Sequence, residues 1–484
     1  MPDIEIDEAV RRKVTRYGQG RDVCDLALLA GGLLLIWSGL FLSTYHYPFY
    51  WDDFHQIRPY SWNELLSTLH GWSDPDKIET PAFRPPAAFL FAIQGSIFGE
   101  NIVLQRVFMT MLMEILLFVL GVFLLELGFD LFQIGIVFTL FVFSRVFASL
   151  NLWMTLGSLI LCYIFMVLTG YLFLLWIKHR RILHAFLMFM CAVVAVFTRE
   201  EAYVLPFALA LVWSLSSRPS RGWRRMLVAV LGVLTLAGVH FTLRRIFAPE
   251  AHLDPHLDFT ILKLKMLLIS IKSAWLPGGV TTAGFADSLL AALWIGFLMG
   301  LVVMVARLGR SRSRWRVVGT CFLGCVLSLP ALGIPRPFGI AMPALAFMTA
   351  VAIAVAEVWR QIESAKHSHK WRQYAFVGYV ILGLAVGIAG GIRRSMYVAE
   401  SLHQNCVPRV EEDAVLIFNL RERYATVPEE RREAGRTRLA ALGIYNIRDL
   451  LRLDKDSREH PERYERNRQT RKALFLPKYD YLSY

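Results

Sequence analysis

Long apolar runs limit what this chain can fold into more than any other feature of its sequence. A helix needs about 20 predominantly apolar residues to cross the hydrocarbon core of a membrane, and runs of about that length recur along the chain. Only 19% of the residues are charged, which is below the roughly 25% usual in soluble domains. The sequence therefore predicts an all-α polytopic membrane protein.

The apolar runs predict about eleven transmembrane helices within a domain covering 26–392, preceded by a cytoplasmic segment 1–25. The first run is too long for a signal peptide and lacks a small-residue cleavage site, so we interpret it as an uncleaved membrane helix. The predicted spans lie near 26–45, 103–125, 132–149, 153–177, 183–198, 202–216, 226–246, 286–306, 317–334, 338–358 and 374–392.

Basic residues in the short loops predict the orientation, because Lys and Arg favour the cytoplasmic side. With eleven spans, the basic N-terminus and the basic loops all fall on one side; these loops are 178–181, 217–225, 307–316 and 360–372. The long loops 46–101 and 248–285 and the turn from Arg145 to Asn151 are then extracytoplasmic. Each long loop is predicted to carry a helix lying along the membrane surface, and in the first loop Ser61 to Glu64 has the pattern of a capping box. The membrane is predicted to be a bacterial inner membrane or its equivalent. The net charge is +13, and short basic clusters between apolar runs suit anionic membrane lipids better than nucleic acid.

The composition changes after residue 392, and 393–484 is predicted to be a charged, helical tail that lies outside the membrane on the extracytoplasmic side. Thr426 to Glu429 has the pattern of a helix-capping box, and Gly443 is placed to end that helix. A helical hairpin of this kind also occurs in nucleic-acid-binding modules, but an outer location argues against that use. The alternative function predicted for the tail is binding to a protein partner.

Two adjacent carboxylates, Asp52 and Asp53, lie between Trp51 and Phe54 in the first outer loop. A carboxylate pair beside a bilayer is costly, so a functional reason for it is expected, and two close carboxylates do not both titrate normally. His55 lies beside the pair as a supporting polar candidate, and the alternative is a purely structural role. The structural alternative is that the pair only marks where the chain enters water and caps the next helix.

Further charged residues lie between apolar segments on the same predicted face. Arg84 precedes two prolines that hold it on a stiff corner at a helix start, and Arg199 and Arg336 lie in short turns. Arginines there suit a phosphate group, or else anchor lipid headgroups. Glu200 and Glu201 are acidic candidates for supporting residues of the same site. In the alternative, structural interpretation they form a salt bridge to Arg199 or cap a helix.

A weak metal-binding pattern occurs in the second long outer loop. The side chains of His252, Asp254, His256 and Asp258 would share one face of an extended segment, and they are ligands that a divalent cation accepts. An incidental repeat in a solvated loop is the alternative. No other cofactor is predicted, and the six cysteines include no CxxC, so neither a zinc site nor a disulfide framework is indicated.

Four short motifs in order give the sequence a family resemblance: Trp51-Asp52-Asp53-Phe54, Phe83-Arg84-Pro85-Pro86, Phe98-Gly99-Glu100-Asn101 and Thr198-Arg199-Glu200-Glu201. Over about residues 20–360 the chain resembles the GT-C superfamily of polyprenyl-phosphate-sugar glycosyltransferases, in the branch of protein O-mannosyltransferases and lipid A aminoarabinose transferases. It departs from the family pattern at Pro86, where an apolar residue is usual. It also lacks a second acidic residue between the third and fourth spans, where Asn151 is the nearest polar group.

The resemblance implies a GT-C-like arrangement of helices and an inverting transfer of a sugar from a polyprenyl phosphate to a hydroxyl acceptor on the outer face. It implies that Asp52 is the base, with Asp53 as partner or alternative, and that a metal is not required. Arg84, Arg199 and Arg336 would then bind the phosphate of the donor.

Two other functions remain open from the sequence. The first is a flippase or transporter of a lipid-linked substrate. Such proteins have charged or broken helices at the membrane midplane, whereas the polar residues of this chain cluster on the predicted outer face. A catalytically inactive GT-C-like subunit that scaffolds a complex through its tail would keep the same motifs.

Overall fold

The architecture is known from a computed structural model of the 484-residue chain. It describes residues 8–46, 56–57, 59–73, 82–99, 101–215, 222–248, 285–307, 312–329, 341–364 and 370–417.

The described residues form α-helices joined by turns and short 3₁₀ segments, with no β-strand among them. The helices are α1 (Glu8–Leu40), α2 (Trp62–Ser67), α3 (Pro85–Phe98), α4 (Ile102–Glu126), α5 (Leu131–Val142), α6 (Arg145–Leu152), α7 (Gly157–His179), α8 (Ile182–Thr198), α9 (Leu205–Leu215), α10 (Trp223–Phe247), α11 (Phe285–Arg307), α12 (Arg312–Leu327), α13 (Ala341–Ser364) and α14 (Lys370–Ile417).

Within the described ranges, seven helices are long and apolar enough to cross a membrane, and the bent pair α5 and α6 adds an eighth if it is one span. Exposed leucines such as Leu28, Leu35 and Leu382 cover the outside of these helices, as expected of a surface that faces lipid. α13, in contrast, is almost entirely buried. The prediction of a polytopic helical membrane protein is thus confirmed, while the count of eleven stays a prediction because α8, α9 and α12 have only 17, 11 and 16 residues.

The third predicted span, 132–149, is not one straight helix. α5 and α6 meet at an angle of 62°. The side chain of Ser144 accepts a hydrogen bond from the backbone N–H of Phe147 at 3.2 Å and so starts a new helix. The carbonyl of Ser144 also accepts a bond from the hydroxyl of Ser395 on α14 at 3.2 Å. The stretch from Arg145 that we predicted to be a turn is therefore helical, because a cap and a packed neighbour stabilise the break.

α14 continues well beyond the last predicted span. It runs without interruption for 48 residues to Ile417 and passes through the predicted domain boundary at residue 392. The helical hairpin predicted after Thr426 lies outside the described residues.

Polar contacts between helix ends define two ends of the bundle. At one, here called the Lys178 end, the ammonium group of Lys178 on α7 lies 2.8 Å from the carboxylate of Glu126 on α4. Arg225 at the start of α10 donates to the carbonyl of Ile177 at 3.2 Å, so α10 begins where α7 ends. At the other, here called the Glu200 end, α3 begins and α8 and α10 end.

The first long loop confirms two local predictions. The capping box is present, since the Ser61 hydroxyl accepts from the Glu64 N–H at 3.3 Å and the Glu64 carboxylate accepts from the Ser61 N–H at 2.8 Å. Arg84 is the N-cap residue of α3, with two prolines as the first helical residues, as the sequence predicted. α3 ends at Gly99, whose φ of +51° favours glycine.

Candidate functional site

The candidate site is a cluster of charged side chains at the Glu200 end, centred on Glu200. One oxygen of its carboxylate, Oε2, accepts hydrogen bonds from Nε and Nη2 of Arg84 at 2.9 and 2.7 Å. The other, Oε1, lies 3.1 Å from Nη1 of Arg244. Glu200 therefore joins the start of α3 to the end of α10, across the turn that follows α8.

The two guanidinium groups determine the ionisation of Glu200. Burial on its own would raise the pKa of this carboxyl group, but the nearby charges of Arg84 and Arg244 and the hydrogen bonds from Arg84 outweigh it and lower the pKa to about 2. Glu200 is consequently ionised at every pH at which a cell operates.

Arg199 adds a third guanidinium group beside this pair. Its side chain is almost fully buried, and Nη1 donates to the hydroxyl of Ser158 at 3.0 Å while Nε lies 3.4 Å from the Glu201 carboxylate. In the described part of the cluster, three guanidinium groups thus face two carboxylates and leave one net positive charge. Such a cluster at a membrane-proximal end is suited to an anion such as a phosphate.

The local backbone explains why these side chains meet. Arg199 is extended, with φ −158° and ψ 149°, between α8 and the 3₁₀ helix Glu200–Val204, so the arginine and the two glutamates leave the helix axis. Arg84 is held by Ser73, whose hydroxyl accepts from the Arg84 N–H at 3.0 Å and donates to the Ala82 carbonyl at 2.6 Å. The corner that carries Arg84 is therefore fastened to the first long loop.

A buried histidine connects the two sides of the cluster. His240 on α10 has Nε2 2.9 Å from the carbonyl oxygen of Phe83 and Nδ1 2.6 Å from the hydroxyl of Tyr203. Because a carbonyl only accepts, Nε2 carries the proton, and neutral Nδ1 accepts from Tyr203. The ring of Phe83 also stacks on the imidazole, with centroids 5.8 Å apart. His240 thus holds the residue before Arg84 against the 3₁₀ helix that contains Glu200.

We expect His240→Phe to destabilise the protein by about 1–3 kcal/mol, because the aromatic packing is retained but the Phe83 carbonyl loses its buried donor. Thermal unfolding of the purified protein in detergent measures this change. Tyr203→Phe is the matched control, since it removes only the hydroxyl and leaves the Phe83 bond in place, and its effect should be smaller. Equal effects of the two variants would contradict the role given to the Phe83 bond.

The structure brings together four of the residues selected from the sequence. Arg84, Arg199, Glu200 and Glu201 are neighbours at one end of the bundle. Glu201 forms the salt bridge to Arg199 that the sequence suggested as an alternative role for the two glutamates. Glu200 pairs instead with Arg84 and Arg244.

The remaining candidates lie outside the described residues and stay predictions: Asp52, Asp53, His55, Arg336, His252, Asp254, His256 and Asp258. Among the residues that the structure does describe, no group of three or more His, Cys, Asp or Glu side chains is arranged to hold a metal ion.

Sequence reasoning missed Arg244, His240, Tyr203 and Ser158. For Arg244 a signal existed, because it lies in an adjacent arginine pair inside the predicted span 226–246, at the end opposite to the basic loops. Charged residues within a span are costly and therefore point to function or to a buried partner. The others have side chains that are common in helices, and only their contacts distinguish them.

The fold defines the class of this chain as a polytopic α-helical membrane protein with a charged cluster at one end of its bundle. Comparison with protein-family models, curated proteins and solved structures finds no match to it.

Proposed function

We propose that this protein is an inverting membrane glycosyltransferase that moves a sugar from a polyprenyl-phosphate carrier to a hydroxyl acceptor on the extracytoplasmic face. The observation that carries the proposal is the cluster of Arg84, Arg199 and Arg244 around two carboxylates. It unites two of the four motifs that resemble the GT-C superfamily, although they are 116 residues apart along the chain.

The charge of the cluster supports the binding of a lipid phosphate. Three guanidinium groups against two carboxylates leave a positive balance among the described residues. Ser73 holds the backbone of Arg84, whose guanidinium group donates to Glu200, and Ser158 holds the guanidinium group of Arg199. Preorganised cations stabilise a charge that develops during reaction, because they need not reorient when it forms. The leaving phosphate of a polyprenyl-phosphate sugar gains such a charge when its bond to the sugar breaks.

The base is proposed to come from the first long loop. The acceptor oxygen attacks the anomeric carbon, the bond from that carbon to the phosphate oxygen breaks, and the hydroxyl proton passes to the carboxylate of Asp52, with Asp53 as partner or alternative base. The electron pair of the broken bond stays on the lipid phosphate. Attack from the side opposite to the leaving group inverts the configuration.

Contacts of the first loop support placing the base near the cluster. On one side of the acidic pair, Tyr45 shares a hydrogen bond with Thr110 of α4 at 2.9 Å. On the other side Ile57 is fully buried in the core, and Ser73 binds the backbone of Arg84. The loop is therefore attached to the bundle both before and after the proposed base.

We expect Asp52→Asn to lower the rate of sugar transfer by about 100-fold, because an amide cannot take the proton of the acceptor. The purified protein is supplied with polyprenyl-phosphate sugar and a hydroxyl acceptor, and the glycosylated product is measured. Asp53→Asn is assayed in parallel, and the variant with the larger loss identifies the base.

Glu64→Gln is the control, since it also converts a carboxylate of this loop into an amide while glutamine still completes a capping box. Its transfer rate should match that of the unchanged protein. Full activity of both aspartate variants would refute the assignment of the base. Movement of the lipid-linked sugar across a vesicle membrane without transfer would favour a flippase.

A second candidate function is a catalytically inactive scaffold subunit with a GT-C-like fold. The pairing of Glu200 with two arginines favours it, because oppositely charged side chains that are already paired also hold helices together without any ligand. This candidate predicts that neither transfer nor lipid movement is detected, and that the protein is recovered from cells in a complex.

A further inference from the structure

A long apolar cavity lies inside the bundle, between α4, α7, α9, α12 and α13. Its empty volume is ≈ 920 Å³, part of which is open to the surroundings. Most of its lining is aliphatic, with Leu124, Met166, Leu209, Leu323, Leu345 and Ile353 among the contributing side chains. Along α12 the lining runs from Arg316 to Leu327, a distance of about 16 Å at the helical rise of about 1.5 Å per residue. The cavity is therefore long enough for a hydrocarbon chain.

Among the described residues that line the cavity, Arg316 is the one that carries a charge. The other polar side chains there, Thr320 and Thr349, donate their hydroxyls to carbonyls of their own helices, each at 2.7 Å, so that they present apolar surface to the cavity. Arg316 lies at the Lys178 end, where its guanidinium group is 5.4 Å from the centroid of the Phe129 ring. The walls of the cavity are thus apolar along its length, and a cationic side chain lies at one end.

We propose that this cavity holds one hydrocarbon chain of an anionic membrane phospholipid whose phosphate binds at Arg316. Apolar lining suits the chain, and the guanidinium group complements the phosphate. The neighbouring Trp315 is about half exposed at 54%, as is usual for an aromatic residue at the level of the headgroups. The open side of the cavity leaves the second chain of the lipid in the bilayer.

The position of Arg316 separates this lipid from the proposed sugar donor. The donor phosphate is assigned to the cluster at the Glu200 end, whereas Arg316 lies at the Lys178 end, beside Leu127 whose carbonyl accepts from its Nη2 at 3.4 Å. A lipid with its phosphate at Arg316 cannot also react at the cluster. The bound phospholipid is instead structural, because it fills the space between the short helix α9 and the pair α12 and α13.

Retention of lipid by the purified full-length protein tests the proposal. Native mass spectrometry in mild detergent, with phosphatidylglycerol or phosphatidylcholine of identical chains added, should show one phosphatidylglycerol bound per protein and less phosphatidylcholine. We expect Arg316→Gln to reduce phosphatidylglycerol retention about fivefold, and Arg316→Lys to preserve most of it, because one cation attracts the anionic headgroup. Arg372→Gln is the control: this arginine is exposed on α14 at the same end and does not line the cavity.

A cavity-filling variant provides an independent test that leaves the charge unchanged. Ala346→Phe places an aromatic ring in the cavity and should abolish retention, together with the rise in melting temperature that added phosphatidylglycerol causes in the unchanged protein. Equal retention by the unchanged protein, Arg316→Gln and Ala346→Phe would overturn the proposal. So would displacement of phosphatidylglycerol by polyprenyl phosphate at equal concentration, since the cavity would then belong to the sugar carrier.

Discussion

Replacing Glu200 by Gln should destabilise the protein by about 3 kcal/mol, because it leaves two partly buried guanidinium groups without their shared counter-charge. The side chains of Glu200 and Arg244 are only 18% and 15% exposed, so water compensates little for the loss. Glutamine keeps the size and shape of the side chain, which confines the change to charge. Thermal or denaturant unfolding in detergent at neutral pH measures the effect.

The dependence of this effect on pH has a definite sign. The pKa of Glu200 is lowered to about 2 in the folded protein, from about 4.3 for an ordinary glutamate. The folded state then binds the proton more weakly than the unfolded state. The ionised carboxylate of Glu200 therefore contributes its full stabilisation of the folded state above about pH 4.5, and this stabilisation is lost as the pH falls toward 2. The stability difference between the unchanged protein and Glu200→Gln should be constant near neutrality and shrink on acidification.

Two controls make the Glu200 prediction specific. Glu357→Gln removes a carboxylate paired at 2.8 Å with Arg360, whose side chain is 51% exposed, and it should cost less than about 1 kcal/mol. The double variant Arg84→Gln with Glu200→Gln should lose less stability than the sum of the single changes, since the charges depend on each other. Additive losses would show that the two side chains are not energetically coupled.

Replacing Gly391 by Ala should destabilise the protein by about 3 kcal/mol or prevent assembly of the bundle, because the added Cβ has no space. A Cβ at this position would overlap the carbonyl oxygen of Phe143 and lie 2.9 Å from its carbonyl carbon. These are backbone atoms, so no side-chain rotation relieves the clash. Gly391 is the residue at which α14 passes directly over the break between α5 and α6, close to the Ser395 bond to Ser144.

Gly378→Ala is the matched control on the same helix. A Cβ there meets nothing within 4 Å, and alanine is favoured over glycine inside a helix by about 1 kcal/mol, so this change should be neutral or slightly stabilising. The yield of monodisperse protein on size-exclusion chromatography and its melting temperature compare the two variants. Similar behaviour of the two would mean that α14 does not approach the α5–α6 break as closely as described.

Local chemistry explains which parts of the fold were predictable. The capping box at Ser61 and the helix start at Arg84 depend on residues within a few positions of each other, and both were predicted correctly. The break at Ser144 was missed, although serine is a common cap, because an apolar run on each side of it also suits a continuous span. Its hydrogen-bond partner on α14, Ser395, is 251 residues away in sequence, and no local sequence pattern predicts that contact.

The sequence by itself determined that this is a helical membrane protein, because apolar runs of membrane length impose that class whatever their neighbours are. It also identified Arg84, Arg199 and the two glutamates as unusual, since charge beside a bilayer is costly. Only the tertiary structure decided that Glu200 pairs with Arg84 and Arg244, and that His240 joins the segments that carry this pair. Those contacts depend on which helix ends pack together, and packing links positions that are far apart along the chain.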